Sequence, residues 1–71
     1  MNRPLYSKLS NRQQLIVDMI CTGARNSDIA AKTNVSEQAI KNVVRDIFNK
    51  VGADSRLQLA VLMTEERLGL R

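Results

Sequence analysis

The chain repeats one local pattern four times: a polar capping residue, apolar residues at helical spacing, and then a residue that ends a helix. Polar caps start helices because their side chains accept hydrogen bonds from backbone N–H groups that the first turn leaves free. Glycine and asparagine end helices because they tolerate the left-handed backbone conformation. The predicted starts are Ser10, Asn26, Ser36 and the pair Asp54-Ser55, and the predicted ends are Gly23, Asn34, Gly52 and Gly69.

These signals predict a small helical domain. The predicted helices cover about residues 11–22, 27–33, 37–50 and 54–68. Only three glycines and one proline are present, which disfavours an all-β fold because such a fold needs many turn residues. Since 71 residues suffice for one domain only, we expect an all-α, four-helix domain over residues 9–71, preceded by a short N-terminal arm over residues 1–8.

The residue types that are absent exclude several classes of function. The chain has no histidine, so it cannot build a Ser-His-Asp triad or a histidine metal site. Its one cysteine, Cys21, cannot form an internal disulfide or a zinc site, and we expect it to be a small buried residue at a helix end. We therefore expect no enzymatic activity, no metal and no cofactor.

The charge balance indicates an anionic partner. Eleven lysines and arginines against seven acidic residues give a net charge of +4 and a pI near 9.9, and the most frequent partner of such a chain is nucleic acid. No signal-peptide core is present, and no apolar run approaches the roughly 20 residues that cross a bilayer. We expect a cytoplasmic protein, with no membrane partner and no evident small-molecule ligand.

The second and third predicted helices have the spacing of a helix-turn-helix. A turn of roughly three residues joins them, and small Ala30 lies where they would cross closely. On the third helix, Ile40, Val44 and Ile47 belong to one apolar stripe. The opposite face carries amide and cationic side chains, the groups that match base edges in the major groove. Its members are Gln38, Lys41, Asn42, Arg45 and Asn49.

This polar face also has a simpler interpretation, as an ordinary solvated helix surface. Asp46 at its flank would be repelled by phosphates and counts against nucleic-acid binding. If the face does bind DNA, Asn42 is expected to select a base, because asparagine pairs bidentately with adenine.

The combined pattern of motifs resembles the LuxR-type (GerE-like) helix-turn-helix family over about residues 9–67. The motifs that carry the resemblance are Leu9-Ser10-x-Arg12, Ile16-Val17, Asn26-Ser27-Asp28-Ile29-Ala30, Val35-Ser36-Glu37-x-Ala39-Ile40-Lys41, Ile47-Phe48-x-Lys50-Val51-Gly52 and Ser55-Arg56. The resemblance implies a domain whose third helix enters the major groove and whose fourth helix pairs two subunits.

Carried over by position, the resemblance implies roles for particular residues. Lys41, Asn42 and Arg45 would face bases, and Arg56 would brace the fourth helix. Phosphate contacts are expected at the start of the second helix and on the third helix, from Asn26, Ser27, Ser36, Gln38, Asn49 and Lys50.

The fourth predicted helix carries two apolar faces. We expect one face to pack on the other helices, and its members are Leu57, Ala60, Val61, Thr64 and Leu68. The second face contains Leu59, Leu62 and Met63, and we expect it to form a homodimer interface, because a second apolar stripe on a terminal helix indicates an interaction site. The alternative is that the N-terminal arm covers this face through Leu5 and Tyr6.

The predicted function is sequence-specific binding of double-stranded DNA by a transcriptional regulator associated with the bacterial nucleoid, as a symmetric dimer. Two alternatives stay open. In the first, the chain is a protein-interaction module that pairs through the fourth helix with another regulator. In the second, it is the output domain of a longer response regulator. Departures from the family pattern at Ala39, Val43 and Asp46 favour the interaction module.

Overall fold

The computed structural model describes residues 3–70, and every regular element in that part of the chain is a helix. The all-α, helix-turn-helix fold predicted from the sequence is therefore confirmed. The structure contains one more helix than the sequence pattern indicated. In chain order the elements are α1 (Pro4–Ser7), α2 (Asn11–Cys21), α3 (Asn26–Thr33), α4 (Glu37–Val51) and α5 (Arg56–Leu68).

Most of the predicted caps are present. The Ser10 hydroxyl accepts a hydrogen bond from the Gln13 backbone at 3.2 Å, and the Gln13 side chain accepts one from the Ser10 backbone at 3.0 Å, which completes a capping box. The hydroxyls of Ser36 and Ser55 cap α4 and α5 by accepting hydrogen bonds from the Ala39 and Gln58 backbones. Asn34 ends α3 with a left-handed backbone, at φ 59° and ψ 40°.

The start of α3 differs from the prediction by one residue. Arg25, not Asn26, occupies the N-cap position, and the Asp28 carboxylate accepts a hydrogen bond from its backbone N–H at 2.9 Å. The amide oxygen of Asn26 is unavailable for capping, because it accepts a hydrogen bond from Arg56 on α5.

One apolar core fixes the angle between α3 and α4. Ile29 of α3 is fully buried, as are Ile40 and Ile47 of α4, and Ala30 is buried where the sequence indicated a close crossing. Val35 in the turn packs partly buried against the same core. The helix-turn-helix is therefore held by apolar contact on its inner side, which leaves the outer side of α4 exposed.

The N-terminal segment forms α1, a short helix packed on α5. Pro4 occupies the first helical position, where a missing N–H costs nothing. The next two N–H groups, of Leu5 and Tyr6, donate to the Glu66 carboxylate at 2.7 Å and 3.1 Å. Glu66 is only 4% exposed. A buried carboxylate of α5 therefore satisfies the backbone of α1 and holds the two helices together.

The predicted faces of α5 are reversed in the structure. Leu59 and Met63 are 0% and 1% exposed and Leu62 is partly buried, so the prediction that they form an exposed dimer surface is wrong. They belong to the common core, on the side of α5 that packs against α1 and α2, and Leu5 and Tyr6 of α1 pack against this core as the alternative prediction stated. Of the face predicted to pack inward, Leu57, Val61 and Leu68 are instead 76%, 46% and 55% exposed, while Ala60 and Thr64 are half-buried.

Two further findings concern the surface. Cys21, expected to be buried, is exposed, because it lies at the last position of α2, beyond the buried Ile20. In the part of the chain from residue 3 to residue 70, no helix has the length and apolar character that a membrane crossing requires.

Removing the Glu66 carboxylate should undock α1. We expect Glu66→Ala to lower the free energy of unfolding by about 2–3 kcal/mol, because two N–H groups lose their acceptor. Glu66→Gln should cost less, since its amide oxygen can still accept one of the two bonds. The measurement is urea unfolding followed by circular dichroism. The control is Glu37→Gln at an exposed position, which should change stability by less than about 0.5 kcal/mol. Equal midpoints for Glu66→Ala and the control would contradict this role.

Candidate nucleic-acid interface

The polar face of α4 consists of five exposed side chains on the side opposite its buried stripe. The sequence pattern predicted this division, and the structure brings the five together on one surface. Two acidic residues of α4, Glu37 and Asp46, are also exposed. Among residues 3–70, neither lies within ion-pair distance of a cation of this face. Members of the polar face are Gln38, Lys41, Asn42, Arg45 and Asn49.

A hydrogen-bond network links three of these side chains. The Oδ1 atom of Asn42 accepts from Gln38 Nε2 at 3.2 Å and from Arg45 Nη2 at 3.1 Å. The network spans two turns of the helix and orients Asn42 from both sides. Two of the three predicted base-reading side chains, Asn42 and Arg45, are therefore held next to each other by a hydrogen bond.

The third predicted base-reading residue, Lys41, borders a cleft between the starts of α3 and α4. The cleft has a volume of about 370 Å³. Asn26 and Ser27, two of the predicted phosphate contacts, line it in the first turn of α3. That turn carries backbone N–H groups without intrahelical partners and the positive end of the helix dipole. The remaining lining residues are Arg25, Glu37 and Arg56.

Arg56 fixes the start of α3 from α5. Its guanidinium donates to the carbonyl oxygen of Ala24 at 2.6 Å and to the amide oxygen of Asn26 at 2.8 Å. Arg56 was predicted to brace the fourth helix, and these bonds are consistent with a bracing role. They leave the Nδ2 group of Asn26 able to donate, and its amide oxygen keeps one further acceptor site.

Asp28 stabilises the first turn of α3 as an anion. The backbone hydrogen bond from Arg25 lowers the pKa of its carboxyl below the usual range, and the charge of the Arg25 side chain lowers it further. The Arg25 Nε and Asp28 Oδ2 atoms lie 3.6 Å apart on the surface. The carboxylate therefore stays ionised at neutral pH and favours a regular start to α3.

The other predicted phosphate contacts all lie on or at the start of α4, in three different settings. Gln38 and Asn49 lie on the polar face of α4. Ser36 uses its oxygen as the N-cap of α4, accepting from the Ala39 backbone at 3.1 Å, so its hydroxyl hydrogen is still available to donate. Lys50 lies apart from them, and its Nζ atom donates to the Gln13 side chain at 3.2 Å. That partner is neutral, so the charge of Lys50 is not cancelled.

Sequence reasoning missed one residue of this surface, Arg25. Its side chain is exposed at the N-cap of α3 and lines the same cleft as Lys41. The signal in the sequence was its place directly before Asn26 and Ser27, two residues already assigned to phosphate.

The sequence that forms this surface matches a known protein family. The sequence model of the GerE family, described as bacterial regulatory proteins of the luxR family, matches residues 7–63. This range contains α2, α3, α4 and most of α5, and so the whole of the polar face and the cleft. It begins within α1, at its last residue.

Curated relatives are response regulators and transcription regulators. The chain is 34% identical over 65 residues to a nitrate/nitrite response regulator protein homolog of Haemophilus influenzae, covering 92% of this chain and 31% of that protein. It is 29% identical to the nitrate/nitrite response regulator protein NarP of Escherichia coli, covering 87% of this chain and 29% of the relative. It is 30% identical to the DNA-binding transcriptional activator DevR/DosR of Mycobacterium tuberculosis, covering 83% and 27%. The chain spans less than a third of the length of these relatives.

Removing the Arg56 guanidinium should loosen the start of α3. We expect Arg56→Ala to lower the free energy of unfolding by about 1–3 kcal/mol, because the partly buried oxygens of Ala24 and Asn26 lose their donor. Arg56→Lys should recover part of this loss, since an ammonium can reach one of the two oxygens. Thermal unfolding compares these variants with Arg67→Ala, an exposed arginine of the same helix. Identical melting temperatures for Arg56→Ala and Arg67→Ala would rule out the brace.

Proposed function

The chain belongs to the luxR family of bacterial regulatory proteins, and on that premise we propose that it binds duplex DNA and regulates transcription. The observation that carries the proposal is the polar face of α4, where amide and cationic side chains lie exposed and unpaired with carboxylates among the described residues. We propose a role in binding, because the exposed amides and cations of this face form hydrogen bonds with a partner.

The shape of the helix-turn-helix supports insertion of α4 into the major groove. That groove is about 12 Å wide and admits one helix with its side chains. In such a complex the first helix of the motif, here α3, crosses the DNA backbone. Lys41, Asn42 and Arg45 would then meet base edges, while Asn26 and Ser27 at the start of α3 would meet a phosphate.

The phosphate contacts would set most of the affinity. Helix starts bind phosphate through free N–H groups and the helix dipole, and α3 adds the side chain of Arg25 to this arrangement. Ser36, Gln38, Asn49 and Lys50 complete the proposed set along α4. These contacts orient the domain on the duplex without reading its sequence.

We propose a homodimer that forms through the open face of α5, in place of the buried face that the sequence analysis assigned. Leu57, Val61 and Leu68 recur at helical spacing on one exposed stripe. A stripe of this kind can pack against its own symmetry mate across a two-fold axis. To reach adjacent half-sites, the two copies of α4 in such a dimer would have to lie one helical turn of DNA apart, about 34–36 Å.

A second candidate function is pairing of α5 with another regulator instead of a second copy. The exposed Asp46 on α4 favours it, because a carboxylate beside the polar face opposes phosphate. In either case we propose that the chain works in the bacterial cytoplasm and needs no cofactor; as a DNA-binding protein it would be associated with the nucleoid. The length of the curated relatives is consistent with a role as the output domain of a longer response regulator.

Salt titration tests DNA binding. We expect affinity for duplex DNA to fall log-linearly with salt, with a slope of about 0.9 for each phosphate neutralised. Lys41→Ala and Arg45→Ala should each cost about 1–3 kcal/mol on the preferred duplex if each side chain meets a base. Fluorescence anisotropy with labelled duplexes gives both quantities, and Arg67→Ala on α5 is the control. Absence of duplex binding at low salt would reject this function in favour of the protein-interaction module.

Charge on the open face of α5 tests the dimer. We expect Val61→Glu to abolish cooperative binding to a duplex with two half-sites, because like charges would meet at the two-fold axis, and to leave the fold intact. Leu15→Glu is the matched control, since Leu15 is 52% exposed on α2, and it should keep cooperativity. Sedimentation velocity and binding titrations provide the measurements. Unchanged cooperativity in Val61→Glu would show that this stripe is not the interface.

A further inference from the structure

The orientation of the Asn42 side chain is fixed by its neighbours. An arginine guanidinium has five N–H donors and no acceptor, so the atom of Asn42 that lies 3.1 Å from Arg45 Nη2 must be the oxygen Oδ1. Gln38 Nε2 donates to the same oxygen at 3.2 Å from the other side. These two bonds fill both acceptor sites of the amide oxygen.

Asn42 therefore offers only hydrogen-bond donors to a ligand. Its Nδ2 group carries two hydrogens, and within residues 3–70 no acceptor takes either of them. Pairing with adenine, as expected from the sequence, needs the amide oxygen to accept from the adenine amino group. That pairing would break the bonds from both Gln38 and Arg45.

The neighbours of Asn42 at the centre of the polar face are donors as well. Lys41 has three donors and no acceptor, and Arg45 uses one of its five donors on Asn42. The nearest acceptors lie at the margins, as the free Gln38 oxygen one turn before Asn42 and the Asp46 carboxylate one turn after it. The centre of the face is thus built from donors only.

The bases differ in how well they match such a surface. In the major groove guanine presents two acceptors, N7 and O6, whereas adenine presents one acceptor and one donor. Cytosine presents a donor, and thymine presents one acceptor beside a methyl group. We propose that the Gln38–Asn42–Arg45 network makes α4 a reader of guanine, with Gln38 and Arg45 as the positioning residues that keep the Asn42 amino group facing the base. This inference rests on the proposed binding of duplex DNA.

The test begins with selection of bound duplexes from a random pool and continues with base analogues in the selected sequence. Each guanine of a half-site is replaced in turn by 7-deazaguanine, which lacks the N7 acceptor, or by inosine, which keeps N7 and O6 and lacks only the minor-groove amino group. At one guanine or more, we expect 7-deazaguanine to weaken binding by about 3- to 30-fold and inosine to leave it unchanged.

Variants then assign that guanine to Asn42. Asn42→Asp keeps the shape and can still accept from Gln38 and Arg45, but it has no donor, so the preference for guanine at that position should be lost. Asn49→Asp is the charge-matched control on the same face. It should weaken all duplexes alike and leave the base preference unchanged. Gln38→Met removes one of the two bonds that hold Asn42, and it should raise the affinity for adenine at that position towards that for guanine.

The outcomes separate the inference from the proposed function. A selected sequence in which 7-deazaguanine has no effect, or in which adenine is preferred at the position that Asn42→Asp alters, would overturn the guanine-reading network while leaving DNA binding in place. Failure to recover any bound duplex would overturn the proposed function and the inference with it.

Discussion

The hydrogen bonds from α1 to Glu66 join α1 to the inner side of α5, which also packs on α2, and the start of the candidate binding surface depends on how α5 is held. A carboxylate that is 4% exposed needs partners, and the two N–H groups of Leu5 and Tyr6 supply them. With Glu66 turned inward, Leu59 and Met63 point into the core. The same orientation of α5 directs Arg56, at its start, to the loop before α3. The Glu66 bonds hold one end of α5, and the Arg56 bonds join its other end to the start of α3. The same helix therefore helps to position the cleft that Lys41 borders.

The sequence was informative about α4 because its apolar residues form a single stripe. Ile40, Val44 and Ile47 could face only inward, so the polar side had to be open, and caps at Ser36 and Gly52 limited its ends. On α5 two stripes of similar apolar character compete, and periodicity cannot rank them. One of the two stripes lies on the side of α5 that contacts α1. The sequence does not reveal this contact, because the four residues of α1 are too few to show a helical period and its bonds to Glu66 join positions about 60 residues apart. The cap of α3 was missed for a similar reason, because Asn26 is bound by Arg56 from 30 residues away.

The departures from the family pattern have different physical meanings in the structure. Val43 packs partly buried against the core, so this position adds apolar contact to the fold. Ala39 lies in the first turn of α4, where its backbone N–H is already taken by the Ser36 cap. Asp46 is different, because it is exposed and places a charge beside the proposed phosphate contacts. Of the three features that favoured a protein-interaction module, only Asp46 opposes DNA binding directly.

The donors at the centre of the polar face have a consequence for symmetric assembly. Guanine shows N7 and O6 from one strand of the pair, whereas the cytosine opposite shows a donor, so a G·C pair and a C·G pair are different targets. Two copies of α4 related by a two-fold axis approach the duplex in opposite directions. Each copy therefore needs its guanine on the opposite strand from the other, at equal distances from the axis. In the proposed dimer, the network around Asn42 would set which base is read, and the open stripe of α5 would set the spacing between the two base contacts. Specificity in this chain would then reside in two surfaces that the core holds on different sides of one small domain.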